Sequence, residues 1–418
     1  MRDALVSLTF RAPAVTATRE RSPSVPPLAR VPEEWAHSVA AMGGRTFHAR
    51  QLFRWMHARG VLDSDRMSDL PKELRAGLAA LEIDRTGQVA DERRAADNTR
   101  KLLVRMRDGA TVETVLIPAV SGPKSALPSP VEPFDQDADA AAAADEEDEE
   151  DASTESIPSG VEAPIRVTQC VSSQVGCAMG CVFCASGLAG LKRQLGADEI
   201  IAQILIGRTR LDSNERLRNV VFMGMGEPLH NYDATVRALR LLTHPDGVAL
   251  SARRVTVSTS GLVSEIARLG ADFAGNIGLA VSLHAADDET RSRLMPINKK
   301  YPLASLMKAL RDYPLPRRRR ITIEYTLVGG RNDAPSAAKA LSSLLRDIPV
   351  KVNLIPMNQI ASSALGPPDL RVVLEFQKIL CDAGYSCFIR RRRGDDVSAA
   401  CGQLALLGAR PKVRVNRG

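Results

Sequence analysis

Residues 170–187 read CVSSQVGCAMGCVFCASG, and the rest of the chain is organised around this run. Three residues separate Cys177 from Cys181, and two separate Cys181 from Cys184. That spacing packs three thiolates into one tight loop, so they can converge on one centre. Four-ligand zinc sites usually take two separated pairs. No second CxxC and no His-x-x-x-His lies elsewhere in the chain. A trio suggests a metal centre with one position open. Cubane [4Fe–4S] clusters are held by cysteine thiolates, and three cysteines leave the fourth iron to an outside ligand. The competing reading is a structural zinc loop whose fourth ligand lies elsewhere.

Outward from the loop, residues 163–390 alternate strand and helix patterns. RVTQCVSS, NVVFMGMG, RRVTVSTSG, NIGLAVSLHA, ITIEYTLVGG, VKVNLIPMN and FIRRR read as strands. DEIIAQILIGRTRL, YDATVRALRLLTH, LVSEIARLG, LASLMKALRDY, SAAKALSSLLRD and LRVVLEFQKILCDAG read as the helices between them. Continuous apolar strands followed by amphipathic helices imply parallel βα units. The fold expected is α/β, a partial or full (β/α) barrel, whose site gathers at the C-terminal strand ends. Polar and glycine-rich residues do fall there: 224–227, 258–260, 282–284 and Asn358.

Towards the N-terminus, residues 31–118 predict a small helical and hairpin domain. FHARQLFRWMHARG places Phe47, Leu52, Phe53 and Met56 for one helical face, and SDLPKELRAGLAAL suits a second helix. The aromatics here are expected in the core. TRKLLVRM, a turn at Asp108 and Gly109, and ATVETVLIP predict a hairpin. Glu113 in its second strand reads by default as solvent-facing. Residues 1–30 read as a disordered tail, 119–162 as a disordered acidic insertion and 391–418 as a loop with a basic end.

The 418-residue chain carries a net charge of +7 that hides a split. Residues 132–155 hold twelve acidic side chains and no Lys or Arg, which leaves the remainder at +19. So basic a body suits a polyanion, most commonly nucleic acid. The runs at 317–320 and 390–393 are candidate phosphate contacts. Seven cysteines, three clustered and the rest scattered, make no disulfide framework. No stretch approaches 18 apolar residues, and no secretory signal is read at the start. A reducing cytoplasm and no membrane are expected.

Six runs in order, TQCVSSQVGCAMGCVFC, VFMGMGEPL, VTVSTSG, SLHA, LIPMN and RGDDVSAACGQL, resemble the RlmN/Cfr family of radical S-adenosylmethionine (SAM) RNA adenine methyltransferases. The resemblance spans roughly residues 47–402. It implies a [4Fe–4S] cluster on Cys177, Cys181 and Cys184. It places Gly226 and Glu227 on the SAM amine, where carboxylate meets ammonium. It places Ser258, Ser282, Leu283, His284 and Asn358 against SAM. Cys401 would carry the methyl group as S-methylcysteine, because adenine C2 is not nucleophilic enough for direct transfer. Cys170 would resolve the adduct, leaving a transient disulfide with Cys401, and Glu113 would accept the C2 proton. The implied substrates are 23S rRNA and tRNA, with a flavodoxin or ferredoxin as electron donor. A Cfr-type enzyme that methylates adenine C8 and a non-catalytic, metal-bearing RNA-binding protein remain as alternatives. Cys381 and Cys387 match no family position and read as packing residues.

Overall fold

The computed structural model describes residues 25–119, 163–359, 364–390, 394, 397 and 403. Its centre is one ten-stranded sheet, in which β1 (Gly87–Arg94), β2 (Arg100–Met106) and β3 (Thr111–Pro118) lie side by side at one end and seven further strands follow. The strands β4 (Ile165–Cys170), β7 (Glu215–Phe222), β8 (Val255–Thr259), β9 (Gly278–Ser282), β10 (Ile321–Leu327), β11 (Val350–Pro356) and β12 (Cys387–Ile389) run parallel. Each lies beside its predecessor in this order, which is the winding of a barrel wall rather than of an open sheet that doubles back. Among the described residues β12 does not pair with β1, so the wall is a partial barrel.

The helices follow the strands they connect. α1 (Pro32–Ala41), α2 (Thr46–Phe53) and α3 (Lys72–Ala79) precede the sheet. The short α4 (Ala185–Ala189) follows the cysteine loop, and α5 (Ala197–Arg208) packs behind the three N-terminal strands of the sheet. Then come α6 (Tyr232–Thr243), α7 (Val263–Phe273), α8 (Asp288–Leu294), α9 (Leu303–Arg311), α10 (Pro335–Leu344) and α11 (Leu370–Asp382). Strand centres such as Val257, Val281, Ile323 and Val352 are fully buried against this outer layer. α8 is a seven-residue helix that no apolar period announces, because only Arg291 and Leu294 of it are buried.

The N-terminal elements continue the same molecule. Leu52, Phe53 and Met56 are buried as the helical period requires, with Trp35 and Leu74 beside them. Two aromatics depart from the core expectation. Phe47 is 54% exposed, and Trp55 lies half-buried under the Arg59 guanidinium, 4.0 Å from its ring centre. Residues 25–30, expected within a tail, are placed, with Leu28 and Ala29 buried. The N-terminal region is tied to the barrel helices by Arg208, which donates to the carbonyls of His57 and Ala58 at 2.6 Å, and by Arg237, 2.9 Å from Glu34.

The hairpin has a third strand. β1 (Gly87–Arg94) pairs with β2 (Arg100–Met106), which pairs with β3 (Thr111–Pro118). β1 escaped sequence detection because most of its side chains are exposed and charged, as at a sheet edge. β3 then pairs antiparallel with β4, Val115 opposite Cys170 and Pro118 opposite Val167. The hairpin is therefore hydrogen-bonded onto the first barrel strand. The expectations for residues 1–24 and 120–162, and nearly all those for 391–418, lie outside the described residues.

Candidate active site

The cysteine loop is pinned at its neck. β5 (Gln174–Val175) pairs with β6 (Arg193–Gln194), and the Lys192 N–H donates to the Val175 carbonyl at 2.8 Å. Between these ends, Val182 N–H donates to the carbonyl of Leu294 at the end of α8. Phe183 packs with Leu294, Met295, Val328 and Met357. Cys177 is buried, and Cys181 and Cys184 are partly so. Burial pushes the Cys177 thiol up to about 12, with the neighbouring Cys184 and Glu227 adding to the rise. Burial likewise raises Cys181, and both other loop thiols contribute. Three thiols brought together in one loop are stable as thiolates beside a compensating cation. A [4Fe–4S] cluster is held by cysteine thiolates, and three such donors from one loop fit it.

The strand ends opposite the loop are polar. The turn after β7 carries Gly226 at φ 107°, where a Cβ would stand 2.6 Å from Gln174 Cβ. Only glycine permits that approach. Next to it, Glu227 is buried. Its Oε2 accepts from the Ser260 N–H at 2.7 Å and its Oε1 from Leu229 N–H at 3.1 Å. Burial raises this carboxyl, and the donors from Ser260 and neighbouring groups oppose the rise. A carboxylate offers about four acceptor sites, so an ammonium can still be received here.

Ser258 and Ser282 lie near the ends of β8 and β9, partly exposed to the barrel interior, and Ser282 stands opposite Glu324 of β10. Leu283 is buried in the core, and its N–H donates to the Glu324 carbonyl at 3.0 Å. His284 holds φ 56° and accepts the Thr326 N–H on Nδ1 at 2.9 Å. Burial first, and Arg291 second, lower its imidazole to about 3, so it is neutral. The Phe183 ring meets it edge-on at 4.8 Å. Asn358, just past β11, is buried.

Glu113 is not solvent-facing. It is buried, with Oε1 3.1 Å from Lys101 Nζ. The reason lies in the sheet: β3 is flanked on both sides by strands, so it has no free edge. Gln169 Nε2 donates to Thr114 Oγ1 at 3.1 Å and to the Gln203 carbonyl of α5 at 2.7 Å. Thr114 and Gln169 therefore face the helix layer. Side chains alternate along a strand, so Glu113, Val115 and Cys170 share the opposite, interior face. Cys170 is buried on that face, and no disulfide among the described residues supports the expected one. Its expected partner, Cys401, lies outside the described residues.

One charged residue was missed in the sequence reading. Arg291 of α8 is fully buried. Its Nε donates to Leu283 O at 3.0 Å, Nη1 to Asn298 Oδ1 at 2.8 Å, and Nη2 to Ser260 O at 2.7 Å and Ser282 O at 3.2 Å. Burial lowers its guanidinium to about 10, still cationic at neutral pH. An Asp-Asp-Glu-Thr-Arg run ordinarily marks a solvated turn, so nothing local announces this role.

Comparison with known proteins agrees with this geometry. Residues 171–338 match the radical SAM superfamily model. Residues 33–83 match the ribosomal RNA large subunit methyltransferase N-terminal domain, which carries the likeness upstream of residue 47. A crystal structure of a radical SAM methyltransferase from Sphaerobacter thermophilus is similar with a TM-score of 0.76 and 38% identity, over 91% of this chain and 99% of that one. The dual-specificity RNA methyltransferase RlmN of Syntrophobacter fumaroxidans is 43% identical over 89% of this chain and 94% of its own. RlmN of Sorangium cellulosum is 64% identical over 94% of this chain and 99% of its own. With that identity over nearly both full lengths, and with the cysteine loop and strand ends arranged as described, the chain belongs to the RlmN family of radical SAM RNA methyltransferases.

Proposed function

We propose that this chain methylates C2 of adenosine in 23S rRNA, at the peptidyl-transferase centre, and in tRNA, just 3′ of the anticodon. The relatives' shared description as dual-specificity RNA methyltransferases supports two RNA substrates. The observation that carries the chemistry is the pairing of Val115 with Cys170. It brings Glu113 and Cys170, 57 residues apart in sequence, onto one interior face of adjacent strands. A base that accepts the C2 proton and a thiol that resolves a covalent adduct must act on the same adduct, one at C2 and the other at the linking sulfur, and this placement suits both.

When bound, the [4Fe–4S] cluster and SAM supply one electron, a methyl group and radical hydrogen abstraction. The residues of this chain do the rest. Cys177, Cys181 and Cys184 hold the cluster, and Gly226 with Glu227 receives the methionyl ammonium. Ser258, Ser282, Leu283, His284 and Asn358 orient SAM along the strand ends. Cys401 takes the methyl group on sulfur, a displacement suited to a thiolate. Glu113 accepts the proton from C2, and Lys101 fixes its carboxylate. Cys170 attacks the sulfur of Cys401; the bond from that sulfur to the methylene on C2 breaks, its electron pair stays on the methylene, which takes up a proton to become the methyl group, and a transient Cys170–Cys401 disulfide is left. Residues 31–118 serve as the RNA-binding accessory domain, 163–390 as the barrel, and 391–418 bring Cys401 to the site. The target base must leave its stack to reach this interior. A low-potential flavodoxin or ferredoxin is the electron donor, and the cytoplasm is the setting. Among the described residues no helix is long and apolar enough to cross a membrane.

The test is mass spectrometry of nuclease-digested rRNA and tRNA from cells lacking the chain. Loss of 2-methyladenosine from both is expected. Loss of 8-methyladenosine instead gives the Cfr-type reading, and no loss of either gives the non-catalytic one.

A further inference from the structure

Arg291 is a buried cation with no carboxylate at ion-pair distance among the described residues. Its hydrogen-bond acceptors among the described residues are neutral: three main-chain carbonyls and the Asn298 amide oxygen. Asp288 acts on it by charge without an ion-pair contact, and Asn298 links the two, its Nδ2 donating to Asp288 Oδ1 at 2.9 Å. An unpaired buried charge is costly, and the fold nevertheless spends four hydrogen bonds holding this one still.

Its surroundings suggest what the charge is for. The three carbonyls belong to Ser260, Ser282 and Leu283, at the strand ends proposed to face SAM. The helix that carries Arg291 also receives the cysteine loop, through the Val182 N–H on the Leu294 carbonyl. A Cβ added to Gly180 of the loop would stand 3.7 Å from Cγ of Pro296, the residue two beyond that helix. Arg291 therefore lies between the two halves of the centre.

We propose that Arg291 is the resident counter-charge of this centre: a fixed cation that offsets the negative charge of the thiolate-bound cluster and, by its carbonyl contacts, sets the strand ends that orient SAM. It is a positioning residue, not a catalytic one. Three thiolates on a [4Fe–4S] core leave a net negative site, and reduction adds one more negative charge. A fixed cation nearby favours the reduced form and raises the potential, since net charge and hydrogen bonding set cluster potentials. Arg suits the task because its planar fork bonds several oxygens at once and keeps its charge when buried.

The inference rests on the three cysteines being the cluster ligands, and the experiment separates the two ideas. The full-length chain is reconstituted anaerobically with iron and sulfide. Iron per chain is counted, and the midpoint potential is read by EPR during a redox titration. Arg291→Met removes the charge. Arg291→Lys keeps it with fewer bonds. Asn298→Asp keeps Arg291 and sets a carboxylate against it. With iron content preserved, Arg291→Met and Asn298→Asp should shift the midpoint negative, and Arg291→Lys should stay nearer the wild type. A wild-type midpoint in an iron-replete Arg291→Met or Asn298→Asp protein overturns the proposal. So does equal iron loss in the Lys and Met variants, which makes the residue a matter of shape rather than charge. Failure of the wild-type chain to bind iron would instead overturn the ligand assignment.

Discussion

Gly226→Ala is the sharpest test of the SAM-facing turn. The added methyl has nowhere to go: Gln174 Cβ, Cγ and N would lie 2.6, 2.7 and 2.8 Å away, and two of the three sit at or next to a pinned backbone. The backbone is unfavourable as well, since φ is 107°. Left-handed backbone costs a non-glycine residue about 1–2 kcal/mol, and overfilling a packed site costs about 1–3 kcal/mol more. The sum is a loss of about 2–5 kcal/mol, or a turn displaced by enough to relieve the overlap. Gly109→Ala is the control. It sits at φ 85° in the hairpin turn with nothing within 4 Å of the new Cβ, so it should lose only the backbone share of about 1–2 kcal/mol. Urea unfolding of the cluster-free chain measures both. Equilibrium dialysis of labelled SAM against the reconstituted chain measures whether the turn has moved. Gly226→Ala should be the less stable of the two and should bind SAM weakly, with Gly109→Ala retaining it. Equal unfolding midpoints together with wild-type SAM binding by Gly226→Ala would refute the argument.

Four further outcomes are expected. Glu113→Gln should still accept labelled methyl from SAM onto the protein but release no methylated RNA; normal turnover would remove Glu113 from the proton step. Cys170→Ala should leave RNA covalently attached, visible as a retarded band on a denaturing gel, and clean release would end its resolving role. His57 is buried and stacked on Phe53, and burial lowers it from 6.5 to about 3. Below pH 6.5 the unfolded chain takes up a proton that the folded chain refuses, so stability present above 6.5 falls as pH drops towards 3. The loss is about 2 kcal/mol by pH 5, and His57→Phe should flatten that part of the urea midpoint against pH. Finally, the exposed Cys381 is drawn down to about 7 by a hydrogen bond from Cys387. Iodoacetamide at pH 7 should label it first, and Cys387→Ala should slow that labelling several-fold, as read by peptide mass spectrometry.

The barrel was legible because strand patterns rich in apolar residues, such as NVVF and GLAV, alternate with amphipathic helix patterns, which is the sign of parallel βα units. The cysteine loop was legible because its spacing alone narrows the chemistry. What escaped was whatever tertiary contact decides. Glu113 looks like any polar residue in a strand until β4 is set beside it. Gln203, in an otherwise apolar helix, gives no hint that it caps Ser172 N–H and receives Gln169. Phe47 and Trp55 fit a core by type, yet one is exposed and the other lies beneath an arginine. Cys381 read as packing and proves exposed, whereas Cys387 is buried as expected. Arg291 is the extreme case, because a charged residue in an acidic turn reads as surface by every local rule.

The ladder between β3 and β4 has one more implication. Pro118 stands opposite Val167, and the Ala119 N–H donates to Arg166 O at 2.7 Å, which fastens the two strand ends at the point where 120–162 leaves and returns. The distance between acid and thiol is thus fixed by the clasp and not by the length of chain threaded through it. That makes this position a natural port for cargo: an epitope, a fluorophore carrier or a tethering arm spliced there would leave the reacting groups in register.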